Sequence, residues 1–218
     1  MLDRRLERQL NFLLEADKLK GVVRQTLLPS ARRQENSAEH SWHLALMAIL
    51  LAEHARDAGV DLLRVVEMAL VHDLVEIDAG DTYIYDEAGR RDQAAREAAA
   101  ADRLFALLPP DQGAWVRALW EEYEAGESAE ARFLEALDRL QPLLLNFHTR
   151  GAQWQRHGVT VDQVVARNRV MERGAPTLWA YAERLIREAV ARGFLCGAQS
   201  SQGSSRPIRR KNSPTSPR

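Results

Sequence analysis

Residues 65–77 read VVEMALVHDLVEI. The run is almost wholly apolar and reads as a helix buried on all sides, with Asp61 as its N-cap. Two titratable residues, His72 and Asp73, interrupt it. Burying an ionised carboxylate costs several kcal/mol unless it is paired or bound to a cation. Neighbours on a helix differ by about 100° in direction, so both side chains can lean toward one ion near a helix end. A buried His–Asp hydrogen-bonded pair accounts for the dipeptide equally well.

The same conflict recurs at Asp138. The segment ARFLEALDRLQPLLLNFH carries an apolar stripe through Leu134, Leu137, Gln141, Leu144 and Leu145, and Asp138 falls on it, one turn after Leu134. A carboxylate facing the core needs a counter-charge. Arg139 is adjacent in sequence, and adjacent residues do not face each other on a helix; a metal is the better partner. His40 and His43 lie one turn apart, on a face that continues into Leu44 and Met47. Either can supply a ligand, and either can equally be a satisfied histidine at the edge of the core.

Around these residues the chain reads as helix after helix, rich in Ala, Leu, Glu and Arg, with no convincing alternating strand. The first helix is expected from about Leu2 to Lys20, followed by a polar and basic connection through Pro29, Arg32 and Arg33. Asn36 with Glu39 forms a capping box that starts a second helix, ending near Ala58-Gly59. DAGDTYIYDEAG reads as a loop. Further helices are expected at Arg91–Leu107, Asp111–Glu124, Ser128–Thr149, Thr160–Arg173 and Pro176–Arg192, with Thr160 and Gln163 as another capping box. The fold class is therefore all-α, a helical bundle of about seven to nine helices.

The chain has 218 residues, 45% hydrophobic and 28% charged, which suits one globular domain. This domain is expected over residues 1–196. Residues 197–218, rich in Ser, Pro and basic residues, lack the apolar surface to order themselves and read as a solvated tail. The net charge is -1, so no global field recruits a nucleic acid polymer. The longest apolar run, Leu44 to Ala52, is far too short to cross a bilayer. The N-terminus lacks a signal peptide's apolar stretch, and the single cysteine, Cys196, permits no intrachain disulfide. A cytoplasmic setting fits. There is no HExxH, no Glu-x-x-His, no cysteine cluster, no Walker loop and no GxGxxG.

His40, His72-Asp73 after 32 residues and Asp138 after 65 more, on an all-helical chain, resemble the HD-domain metal phosphohydrolases. QENSAEHS (34–41), ALVHDLVEIDAGD (69–81) and ALDRLQ (136–141) are similar to the branch that contains the HD-domain 5'-deoxynucleotidases, and the resemblance covers roughly residues 1–192. It implies an HD-domain bundle in which one divalent metal is held by His40, His72, Asp73 and Asp138, with His40 rather than His43 as ligand. Two nitrogen and two oxygen ligands suit Mn, Co, Fe, Ni or Zn without choosing among them. Glu76, one turn after His72, matches a glutamate that assists the nucleophilic water or the leaving group, and Asp81 matches an acid near the substrate. Arg24, in LKGVVRQ, matches by position a substrate-binding arginine. Arg33, shortly before His40, suits the same task, because the guanidinium fork binds phosphate bidentately.

The implied activity is hydrolysis of a nucleoside 5'-monophosphate or a similar small phosphate ester. The alternative is a catalytically idle HD protein with a structural metal. One departure stands out: where the family's best-known members carry a tryptophan that helps select deoxyribose, this chain has Gln25. A homodimer is also implied, and Trp115 and Trp120 are candidates for its interface.

Overall fold

The structure, a computed structural model, describes residues 4–30 and 33–196. The expected tail, Arg32 and the first three residues lie outside the described residues.

Helix α1 spans Arg4–Ala16 and runs into a 3₁₀ turn, Asp17–Gly21. Two strands follow, β1 (Val23–Leu27) and β2 (Gln34–Asn36), paired antiparallel with Val23 opposite Asn36 and Leu27 opposite Gln34, and an irregularity between. The polar and basic connection expected here thus carries a strand pair that the sequence did not signal. The strands are too short for a periodicity signal, and tertiary contacts hold them: Thr26 is buried and the Gln153 side chain donates to the Gln25 carbonyl.

Asn36 ends β2 and caps α2 (Ser37–Leu51). Its side chain accepts from the Glu39 amide at 2.9 Å, while Glu39 accepts from the Asn36 amide at 3.2 Å, as the capping box requires. α2 stops at Leu51, earlier than expected, and a 3₁₀ turn covers Ala52–His54. Asp61 caps α3 (Leu62–Val71) by accepting from the Arg64 amide at 3.3 Å. α3 is not buried all round: Leu63 and Leu70 are exposed while Val65, Met68 and Ala69 are fully buried. The helix tightens into a 3₁₀ turn over His72–Val75 before α4 (Glu76–Ala79). Gly80, at φ 75°, closes α4 and turns the chain toward Asp81.

The remaining helices are α5 (Gln93–Phe105), α6 (Pro110–Ala125), α7 (Ala129–His148), α8 (Ala152–Arg156), α9 (Val161–Asn168), α10 (Met171–Gly174) and α11 (Pro176–Ala191). The single helix expected over 160–173 is thus two, with the Thr160–Gln163 capping box at the start of the first. α7 is the central element, packing against α2, α3, α6, α10 and α11. Its face of Phe133, Leu134, Ala136 and Leu137 is completely buried. α10 comes so close that a Cβ on Gly174 would stand 1.9 Å from the Arg132 carbonyl oxygen, so only glycine fits there. Pro142, inside α7, has no amide hydrogen to donate to the Asp138 carbonyl four residues earlier, which loosens the helix where the site residues sit.

Candidate metal centre and active-site cavity

The 3₁₀ turn after α3 places His72 and Asp73 together. Ligand atoms of His40, His72 and Asp73 all lie within 4.8 Å of one another. Asp138, reaching in from α7, puts Oδ1 at 2.9 Å from His40 Nε2. All four residues are buried. His43, the other candidate on α2, is half-buried and lies at 3.3 Å from the Gln141 amide nitrogen instead.

Proton accounting shows what this cluster lacks. The His72 Nδ1 hydrogen is donated to the Ala69 carbonyl at 3.0 Å, so Nε2 carries a lone pair. That Nε2 is buried without a hydrogen-bond partner and faces Asp73 Oδ1, another acceptor, at 3.0 Å. His40 repeats the pattern. Gln141 Nε2 donates to Glu35 Oε1 at 2.5 Å, which fixes the amide orientation and leaves Gln141 Oε1 to accept from His40 Nδ1 at 3.2 Å. His40 Nε2 is then left bare against Asp138 Oδ1. An Nε2 hydrogen on His40 would only transfer the conflict to Nδ1 and Gln141. A doubly protonated ring is opposed by burial, which pushes the His40 imidazole down to about 3. Burial also lowers His72. Two imidazole lone pairs facing two carboxylates describe a site built for a cation, with Ala69 and Gln141 orienting the rings from behind.

The carboxylates agree. Burial holds Asp73 far above the usual carboxylate range, against the pull of Arg24. Burial pushes Asp138 upward too, and its lowering well below the ordinary value requires His40 to donate from Nε2, the form that burial and Gln141 oppose, together with the charge of Arg139. The Tyr123 hydroxyl donates to Asp138 Oδ2 at 3.2 Å, and Arg139 Nη1 approaches the same oxygen at 3.4 Å. Arg139 is therefore a local counter-charge after all. Its side chain is long enough to fold back along the helix, which Cβ directions alone do not reveal.

The cluster opens into a cavity of about 560 Å³ whose walls include Arg24, Gln25, Glu76, Asp81, Tyr123 and Arg139. Glu76 is buried, and the Ser37 hydroxyl donates to its Oε2 at 2.6 Å. Burial and the neighbouring Asp73 push the Glu76 carboxyl well up. Arg24 Nη1 lies 2.9 Å from Asp73 Oδ2 and 3.5 Å from Asp81 Oδ1, and Nε lies 3.8 Å from Glu35 Oε2. Asp81 is raised by burial against the pull of Arg24. Arg33 does not line the cavity; its guanidinium forks onto Glu39 at 2.8 and 2.5 Å, outside it. The structure thus does not bring Arg33 to the cavity, although its nearness to His40 in sequence suggests it. Trp120 belongs to the core, whereas Trp115 is exposed.

Sequence reading passed over Glu35, Ser37, Tyr123 and Gln141. Gln141 had a signal, as a polar residue on the apolar stripe of α7. The others reach the site only through folding.

An HD domain family model matches residues 16–179. The chain belongs to the HD domain family. Its fold superposes on the crystal structure of a predicted metal-dependent phosphohydrolase from Magnetospirillum magnetotacticum MS-1, with a TM-score of 0.84 and 57% identity over 88% of this chain and 95% of that one. It is similar to 5'-deoxynucleotidase HDDC2 of Bos taurus (35% identical over 136 residues, 62% of this chain and 64% of that protein) and of Homo sapiens (34%, 62% and 65%). The chain thus spans just under two thirds of the length of these curated relatives. Among the described residues, no helix is long and apolar enough to cross a membrane.

Proposed function

We propose that this HD-domain protein is a metal-dependent phosphomonoesterase that releases phosphate from a nucleoside 5'-monophosphate or a similar small phosphate ester. The observation that carries the reading is the pair of bare imidazole nitrogens facing Asp73 and Asp138 at the floor of the cavity. His40, His72, Asp73 and Asp138 would hold one divalent ion of the Mn, Co, Fe, Ni or Zn type. What such an ion supplies when bound is Lewis acidity toward a phosphoryl oxygen and an acidified water.

The other roles belong to the chain's own groups. Arg24 offers a guanidinium on the cavity wall, beside Asp73, and offsets phosphate charge. Glu76 holds a proton at its carboxyl, oriented by Ser37, and moves it during ester cleavage. Asp81, held near Arg24, is positioned to orient the substrate or to serve as a second acid. The names of the similar proteins support phosphate-ester chemistry. A purely structural metal would need the four ligands but not Glu76 buried against the same cavity.

A phosphate-release screen over ribo- and deoxyribonucleoside 5'-monophosphates and sugar phosphates, with added Mn or Co, tests this. Release that requires metal is expected; no release from any ester favours the idle alternative. A homodimer and a cytoplasmic setting are proposed with the same activity. The exposed Trp115 supports the former, and the lone Cys196 the latter. Sedimentation at micromolar concentration checks the assembly.

A further inference from the structure

Residues 80–92 join α4 to α5 with neither helix nor strand. Asp81, Tyr83, Tyr85 and Arg90, all on this loop, line the cavity. The loop's own bonds shape its tip. The Asp86 amide donates to the Tyr83 carbonyl at 2.8 Å, and the Asp86 side chain accepts from the Ala88 and Gly89 amides at 3.0 Å each. None of these bonds involves Asp81 or Thr82, so the stretch that carries the proposed acid is fastened by other means.

The fastening comes from Arg96, in the first turn of α5. Its Nη1 donates to the Ala79 carbonyl at the end of α4. Nη2 donates to the Thr82 hydroxyl at 3.1 Å and to the Gly89 carbonyl at 3.0 Å, and Nε donates to Asp92 Oδ1 at 3.1 Å. A planar guanidinium with donors in a fixed fork can hold several acceptors in one geometry, which an ammonium cannot. Only Asp92 is charged; the other three acceptors are neutral oxygens. Ala79 and Thr82 flank Asp81, so Arg96 sets the backbone on both sides of it. The Asp81 carboxylate is met separately, by the Gln25 amide and by Arg24 Nη1 at 3.5 Å. Arg96 itself does not line the cavity, and its side chain is 34% exposed.

We infer that Arg96 is a positioning residue: it fixes the loop so that Asp81 stands beside Arg24 at the cavity, and it acts on turnover through Asp81. The catalytic consequence rests on the phosphomonoesterase reading; the fastening of the loop does not.

The test uses Arg96→Met, which removes every donor, and Arg96→Lys, which keeps the charge without the fork. Hydrogen exchange of the amides of residues 81–91 needs no substrate and is measured first. It should quicken at least about tenfold in Arg96→Met, the worth of lost charge-assisted bonds, and by less in Arg96→Lys. A double-mutant cycle with Asp81→Asn follows. In Arg96→Met, kcat/KM should fall roughly 10- to 100-fold, the effect of a misplaced group. Metal content should match wild type, because no proposed ligand lies on the loop. In the Asp81→Asn background the same substitution should cost less than about threefold, since its target is already gone. Equal losses in both backgrounds would show that Arg96 merely supports the fold, and would overturn the inference. Unchanged exchange would overturn it too. No phosphate release from any ester by the wild type sinks the phosphomonoesterase reading, and the exchange comparison then decides the fastening by itself.

Discussion

His40 Nε2 and Asp138 Oδ1 lie 2.9 Å apart across 98 residues of sequence. α2 and α7 therefore meet at the site, and these two proposed metal ligands are also part of what joins the two helices. Removing either partner has two consequences that separate experimentally: a lost ligand and an uncompensated buried group.

The first prediction separates metal binding from proton transfer. His72→Ala should purify without stoichiometric metal and without turnover. Glu76→Gln should keep metal and fold, yet lower kcat by roughly 10²–10⁴, the usual worth of a general acid or base. Metal content measured beside kcat decides between the roles. Near-wild-type kcat in Glu76→Gln would pass the role to Asp81.

Arg24 is bound to Asp73 and Asp81 as well as facing the cavity. Arg24→Lys should keep the charge but lose the fork, raising KM at least about tenfold with a smaller change in kcat. Arg24→Met should instead destabilise the protein by about 3–5 kcal/mol, because it strands buried carboxylates. Denaturant unfolding of both variants, beside their kinetics, checks this.

Glu35 gives a pH prediction. Burial pushes its carboxyl up from 4.5 to about 7, against Arg24 and the Gln141 hydrogen bond. Between those values the folded protein binds more protons than the unfolded chain, so this group's contribution to stability falls as pH rises through that window. Each pKa unit is worth about 1.4 kcal/mol, and the whole effect is a few kcal/mol at most. Glu35→Gln, which can still accept from Gln141, should flatten the metal-free protein's stability between pH 5 and 7. It should also leave the variant more stable than wild type at pH 8. A variant whose pH profile parallels wild type would show that Glu35 ionises normally.

Gly174→Ala should destabilise the fold by roughly 1–3 kcal/mol or more, because backbone atoms on α7 have nowhere to move. Gly59→Ala, with nothing within 4 Å, is the control and should be near neutral. Thermal unfolding of the pair measures the difference.

Much of the architecture was legible in the chain because it depends on local rules. The Asn36–Glu39 and Thr160–Gln163 capping boxes, Asp61 and Ser128 all mark helix starts, and each is a side chain bonding an amide three residues on. Helix ends were less legible. α2 stops at Leu51 and α3 gives way at Val71 with no helix-breaking residue at either point.

The proposed ligands were legible in part: His72, Asp73 and Asp138 interrupt apolar helices, a conflict that only burial with a partner resolves, whereas the choice of His40 over His43 rested on the family resemblance alone. Three things were decided by tertiary structure alone. Gln141 and Ala69 select which imidazole nitrogen faces the carboxylates. Arg33 pairs with Glu39, while Arg24, ten residues before Gln34 but across the strand pair from it, enters the cavity. Arg96 gathers the Ala79 and Gly89 carbonyls and the Thr82 hydroxyl around one guanidinium. Sequence states which groups must be satisfied; which partner satisfies each depends on distances between residues far apart in the chain.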